Sequence, residues 1–169
     1  MRVVTSTVDR SFKRKRIAVG IGEYAIGEGD MILSTSGLGS CLGIVIYDRI
    51  MSIGGLAHTM LPTQRERNSQ NPIKFTDTAI SVLIHEMEGI GGQRDRFEAK
   101  LVGGSQMLNF PSDRDRIGDR NVAVATRLLE EFAIPLVASA VGGTHGRSVK
   151  FEIASQTLHI TAAGSSRRI

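Results

Sequence analysis

Two short apolar runs, "CLGIVIYD" at residues 41–48 and "SIGGLAH" at residues 52–58, are joined by "DRIM", and no other pattern in the chain restricts its fold as strongly. Each run is rich in β-branched and small residues and too short for a helix. Together they read as antiparallel strands connected by two to four residues. A turn centred between Arg49 and Ile50 sets Cys41 directly opposite His58, with Cβ atoms about 4.5–5.5 Å apart on one face, close enough for a thiol–imidazole hydrogen bond. Gly43 and Gly54 share that face and Gly55 lies on the other, which leaves room for a backbone or a substrate to approach. A slip of one residue would send the histidine to the opposite face, so any chemistry here hangs on register.

Cys41 is the only cysteine of the chain. A free thiol is mostly protonated at neutral pH, and a neighbouring imidazole both raises the thiolate fraction and can later protonate a poor leaving group such as an amine. The glycines of "SGLGSC" (36–41) allow consecutive N–H groups to converge, so Ser40 and Cys41 are the expected backbone donors of an oxyanion hole. The alternative is a thiol acting as a small core hydrophobe beside an unrelated structural histidine. The residues alone leave both readings open.

The rest of the chain frames this hairpin. "RIAVGI" (16–21) and "DMILST" (30–35) read as buried strands separated by the glycine-punctuated "GEYAIGEGD", and "PTQRERNSQNP" (62–72) as a loop. A helix is predicted over 76–90, capped by Thr76 or Asp77, with Ile80, Leu83, Ile84, Met87 and Ile90 on its apolar face and Gly89, Gly91 and Gly92 ending it. "RFEAKLVGG" (96–104) is a strand, followed by an Asp- and Arg-rich loop (111–116). A second amphipathic helix is predicted near 119–132 with Val122, Ala125, Leu128, Leu129 and Phe132 on one side. "IPLVASAV", "RSVKFEIA" and "QTLHITA" close the chain as strands. Roughly eight strands and two helices, not regularly alternating, make an α+β fold of mixed sheets packed in layers. The expected division is a basic arm, 1–16, and a single domain, 17–169.

The net charge of +4 is concentrated at one end: residues 1–17 hold six of the 21 Lys and Arg and one of the 17 acids, so the remainder is close to neutral. With two tyrosines, six phenylalanines and no tryptophan, the chain lacks the interleaved basic and aromatic residues of a nucleic-acid reader. No apolar run is long enough for a signal segment or a membrane span, and one cysteine forms no internal disulfide, so the expected location is cytoplasmic. There is no GxGxxG, GK[ST], CxxC or HExxH pattern, and no metal or cofactor is expected. A thiol-phosphatase loop needs an arginine a few residues after the cysteine, whereas Arg49 comes only at the end of the strand. His85 and His159 are expected to face solvent, and His145, in "GGTHGR", to decorate a turn.

Seven segments, "GEYAIG", "GLGSCLGIVIYD", "IGGLAHTMLP", "KFTDTA", "GGSQM", "IGDRN" and "VGGTHGRSVKF", occur in the order found in the CheD chemoreceptor glutamine deamidase family, which the chain resembles from about residue 17 to 160. The resemblance implies an amidohydrolase that converts glutamine side chains on the cytoplasmic helices of chemotaxis receptors to glutamate and ammonia. It implies Cys41 as nucleophile, His58 as base and Thr35 as the residue orienting the histidine, on a fold resembling the deamidating-toxin cysteine hydrolases. It further implies a partner among CheC-type chemotaxis phosphatases, with neither nucleic acid nor membrane insertion. Pro62 to Pro72 and the turn at Gly103, Gly104 and Ser105 are expected to flank the substrate helix. The rival readings are a regulatory binding protein that docks a phosphatase or receptor without catalysis, and a cysteine peptidase.

Overall fold

In the computed structural model, which describes residues 14–64, 70–107 and 116–169, the two central runs form β4 (Leu42–Asp48) and β5 (Ile53–Thr59). Every residue of both strands is buried, because one face packs on helices and the other on a second sheet. Leu42, Ile44, Ile46, Ile53 and Ala57 point to the helical side, and Val45, Tyr47 and Leu56 to the other. Such double burial explains why the runs are almost continuously apolar where a half-exposed strand would alternate. Each fully buried Leu or Ile contributes about 1.5–3 kcal/mol of hydrophobic stabilisation.

The register differs from the symmetric expectation. His58 pairs with Gly43, not Cys41, and Asp48 pairs with Ile53, so the connection spans residues 49–52. The cause is Asp48, whose Oδ1 accepts the N–H groups of Ile50 and Met51 at 2.9 Å each, while Oδ2 takes a bifurcated contact from Arg96 at 2.7 and 3.0 Å and the Gln93 N–H at 3.1 Å. The carboxylate thereby pins the loop at its first residue and moves the turn centre towards the second strand. The displacement along the ladder is an even number of residues, so the side-chain faces are preserved. The glycines have a tighter purpose than access: a Cβ on Gly43 would stand 3.0 Å from Leu38 Cδ1, and one on Gly54 2.8 Å from Phe151 Cε1. Side chains of the facing sheet fill the space that the sequence left open for a substrate.

Among the described residues, ten strands form two five-stranded sheets. One has the order β2 (Tyr24–Glu28), β5, β4, β6 (Phe97–Gly103), β7 (Leu136–Val141). The other has the order β1 (Arg16–Ala18), β3 (Ile32–Leu38), β8 (Arg147–Glu152), β9 (Thr157–Ala162), β10 (Ser165–Arg168). Both are mixed: β1–β3 and β6–β7 are parallel and the other pairs antiparallel. The sheets face each other across Leu33, Val149, Phe151 and Leu158 on one side and Val45, Leu56 and Val102 on the other. Two helices, α1 (Thr76–Gly89) and α2 (Ile117–Glu131), cover the far face of the first sheet. The α+β class, the mixed sheets and the two helices agree with the expectation.

Several local expectations are corrected. β2 and β10 were not anticipated, the first because its glycines read as a loop and the second because "SSRR" is fully exposed and has no apolar side to signal it. Helix α1 has no side-chain cap: Phe75 occupies the N-cap, the Thr76 hydroxyl is buried in other contacts, and Asp77 accepts the N–H of Gln64. Ile90 falls past the helix and is 48% exposed. Arg16 belongs to β1, and Arg14 pairs with Asp30 and Glu152 at 3.0 Å each, so the end of the expected arm is part of the fold. The arm's remaining residues, 1–13, most of the Asp- and Arg-rich loop and residues 65–69 lie outside the described residues.

Burial alone would raise the Asp48 pKa, but Arg96 and the N–H groups of Met51, Ile50 and Gln93 outweigh it and hold the carboxyl at about 2. Its ordinary value is 3.8, so the folded state binds that proton less readily than the unfolded chain. The group therefore contributes roughly 2 kcal/mol of stability above pH 4, lost as pH falls towards 2. Asp48→Asn is expected to lower the unfolding free energy at pH 7 by about 2–4 kcal/mol and to flatten the decline below pH 4. Urea melts at pH 7 and pH 3 measure both, and equal losses at the two pH values would remove the carboxylate as the anchor.

Candidate active site

Thr35 on β3 and His58 on β5 belong to different sheets and meet in the buried layer between them, with Thr35 Oγ1 2.8 Å from His58 Nδ1. Thr35 Oγ1 also lies 2.7 Å from the Val19 carbonyl, which can only accept. A hydroxyl has one proton, so Thr35 donates to Val19 and accepts from the ring. His58 in its neutral form is therefore the Nδ1–H tautomer, and Nε2 carries the free lone pair. That nitrogen is buried and has no hydrogen-bond partner among the described residues. The backbone holds the histidine from both sides, its N–H donating to Glu23 at 3.0 Å and its carbonyl accepting from Gly22 at 2.8 Å.

Cys41 ends the connection that carries the chain from β3 in one sheet to β4 in the other. It is partly exposed and packs against the layer between the sheets, the side to which His58 also points. Cys41 and His58 are thus diagonal neighbours on one face of the hairpin, not directly opposed, and no hydrogen bond joins the thiol to the ring. Burial pushes the thiol pKa up, partly offset by the residue's own backbone N–H, and burial pushes the imidazole down. Both shifts favour neutral forms, so the pair at rest is a thiol and an imidazole and not an ion pair.

Three successive carbonyls before the hairpin are tied down. Gly39 accepts from the Ser105 N–H at 2.8 Å, Ser40 from Asn121 Nδ2 at 3.0 Å, and Cys41 from the Gly104 N–H at 2.8 Å. The N–H groups of Ser40 and Cys41 have no backbone carbonyl partner among the described residues. Gly103, with φ of 107°, passes so close to this loop that a Cβ there would stand 2.4 Å from the Cys41 oxygen. Ser105 is fully buried, its hydroxyl directed to the Gly142 and His145 carbonyls and contacted by Arg147 at 2.6 Å. Gly103, Gly104 and Ser105 therefore brace the cysteine loop.

Asn121 was missed altogether. Fully buried on α2, it also donates to the Met60 carbonyl at 3.1 Å, while its Oδ1 lies 3.4 Å from the Thr76 hydroxyl, itself 2.9 Å from that of Thr59. One amide thus joins the residue before Cys41 to the segment after His58. Its signal in the sequence is a polar residue interrupting the apolar stripe of α2, which periodicity passes over. Of the remaining histidines, His85 is exposed, His145 sits in an exposed turn, and His159 is half-buried beside Glu152. Among the described residues no group of three His, Cys, Asp or Glu is arranged to hold a metal ion.

The CheD family model, described as CheD chemotactic sensory transduction, matches residues 60–162. The chain belongs to the CheD family. It is 46% identical over 143 residues to a protein of Pyrococcus abyssi named "Probable chemoreceptor glutamine deamidase CheD", covering 83% of this chain and 88% of that one. Relatives of the same name from Haloarcula marismortui and Clostridium botulinum are 45% and 40% identical, covering 82% and 89% of this chain and 80% and 94% of theirs. Two solved structures are similar at lower level. Neisseria meningitidis protein NMB0706 matches with TM-score 0.49 and 10% identity over 75% of this chain and 64% of its own. Bacillus licheniformis hypothetical protein YfiH matches with TM-score 0.46 and 14% identity over 72% and 51%.

Two outcomes are expected from this geometry. Nitrogen-15 NMR of the imidazole should show His58 protonated at Nδ1, titrating below its ordinary 6.5. Because the folded ring takes a proton less readily than the unfolded one, stability should fall as pH drops below 6.5. An Nε2–H tautomer would contradict the Thr35 assignment. Separately, Asn121→Asp sets an acceptor against two buried carbonyls and is expected to cost about 2–3 kcal/mol in urea unfolding; an unchanged midpoint would remove Asn121 as the brace.

Proposed function

We propose that the chain is a chemoreceptor glutamine deamidase in which Cys41 is the nucleophile, His58 the general base and acid, and Thr35 the positioning residue. The observation that carries this reading is the single proton of Thr35: committed to Val19, it leaves Thr35 Oγ1 to accept Nδ1–H and leaves His58 Nε2 as a free acceptor on the Cys41 side of the hairpin. A structural histidine would be expected to satisfy both ring nitrogens when fully buried, since an unpaired buried polar atom costs about 1–3 kcal/mol. The names of the relatives supply the substrate class.

In the proposed reaction, His58 Nε2 takes the Cys41 proton as the sulfur attacks the glutamine carboxamide carbon. The N–H groups of Ser40 and Cys41 receive the developing oxyanion. The C–N bond breaks, ammonia leaves with the proton returned by His58, and a thioester remains on Cys41. Water, deprotonated by His58, cleaves the thioester to glutamate and restores the thiol. Burial favours the neutral thiol and the neutral imidazole, so His58 is free to take the Cys41 proton as the sulfur attacks.

The substrate is read as a cytoplasmic receptor helix, and a CheC-type chemotaxis phosphatase as a partner. Exposed Met60 and Leu61 follow His58, and exposed Met107 lies against Gly39, two residues before Cys41. Flexible apolar side chains of this kind suit the face of a helix. We read residues 14–169 as one deamidase domain, related in architecture to the deamidating-toxin cysteine hydrolases and working in the cytoplasm. No helix among the described residues is long and apolar enough to cross a membrane.

Incubation with a receptor cytoplasmic fragment is expected to release ammonia and add about 1 Da at selected glutamines. Cys41→Ala should abolish both without loss of fold, and Thr35→Val should slow turnover by roughly 10²-fold. Ammonia release that survives Cys41→Ala ends the nucleophile assignment; chain cleavage in place of the mass gain would make the protein a peptidase.

A further inference from the structure

Among the described residues, neither helix nor strand covers the outer face of the sheet β1-β3-β8-β9-β10, and its side chains follow an order that inward packing does not require. Lys150 pairs with His159 and His159 with Arg168, so three basic side chains stand in one row across three adjacent strands. The next row is Ser148, Thr161 and Ser166, all hydroxyls. These residues line a concavity of about 730 Å³, with Arg16 at its β1 edge. Lys150 and Arg168 flank His159, and cations gathered on one face repel one another unless acids among them offset the charge. Here the acid of the face, Glu152, is already engaged by Arg14 at 3.0 Å, His159 at 3.1 Å and Ser155 at 3.1 Å. Among the described residues no carboxylate lies in an ion pair with Arg16, Lys150 or Arg168.

We propose that this face docks an acidic helix of a protein partner, whose carboxylates pair with Lys150, Arg168 and Arg16 and accept hydrogen bonds from Ser148, Thr161 and Ser166. The spacing fits: Lys150 on β8 and Arg168 on β10 stand two strands apart, roughly 9.6 Å, and acidic residues at i and i+7 on one face of a helix lie about 10.5 Å apart along its axis. Charge complementarity names the partner's sign, and the surroundings narrow its class. Among the described residues no aromatic ring lines the face to stack a nucleobase, and none of the exposed large apolar residues lies there to enter a lipid layer. The proposal is independent of the Cys41 chemistry.

The test is fluorescence anisotropy with a labelled helical peptide carrying Glu at positions i, i+4, i+7 and i+11, at low ionic strength. The full chain should bind it, and the double variant Lys150→Glu, Arg168→Glu should bind at least roughly tenfold more weakly. Arg49→Glu, an exposed change on the 49–52 loop, should stay within about twofold. All these sites are exposed, and thermal melts confirm that the variants fold. Unchanged affinity in the double variant overturns the proposal. So does equal binding of the Gln version of the peptide, or tighter binding of a single-stranded oligonucleotide or a phosphatidylserine vesicle.

Discussion

One hydroxyl proton organises the centre of this molecule. Thr35 spends it on the Val19 carbonyl, and everything on the other side of the oxygen follows: the oxygen accepts, the ring must donate through Nδ1, and the far nitrogen of His58 is left bare in a buried layer. The bond also crosses between the two sheets, from β3 to β5, so the orientation of the imidazole depends on how the sheets stack and not on its own strand. A hydrogen bond of this kind is worth about 1 kcal/mol to stability. Its larger effect is to choose one tautomer of two.

The cysteine is placed by a different device. The loop that carries Cys41 from one sheet to the other has its carbonyls bound in succession by Ser105, Asn121 and Gly104. The N–H groups of Ser40 and Cys41, by contrast, have no backbone carbonyl partner among the described residues. The bracing groups come from the turn after β6 and from α2, elements distant in the chain. Asn121 adds a constraint between the loop before the hairpin and the segment after it, so the residue before Cys41 and the second residue after His58 are held to the same amide.

The fold was legible wherever burial is one-sided or complete. The β4–β5 hairpin, both helices and six further strands stand out through apolar runs and helical spacing, since burying those side chains is what the elements are for. β2 and β10 were not legible. The former carries glycine where a facing side chain needs the room, and the latter is a polar edge strand held by its ladder with β9. In the site, the thiol, the histidine and their common face were accessible from alternation along a hairpin. Thr35 emerged only through resemblance to known sequences, and Asn121 did not emerge at all.

By itself the sequence determined which residues are apolar, where the chain must turn and which of its side chains have nucleophilic or basic chemistry, because these are properties of local composition and period. The tertiary structure decided the rest. Asp48, by seizing the loop N–H groups and Arg96, shifted the hairpin so that Gly43 and not Cys41 opposes His58. The stacking of two sheets brought Thr35 to the ring, and α2 brought Asn121 to the loop. Those contacts join residues far apart along the chain, and hydrogen-bond geometry of that range is fixed only when the layers close on one another.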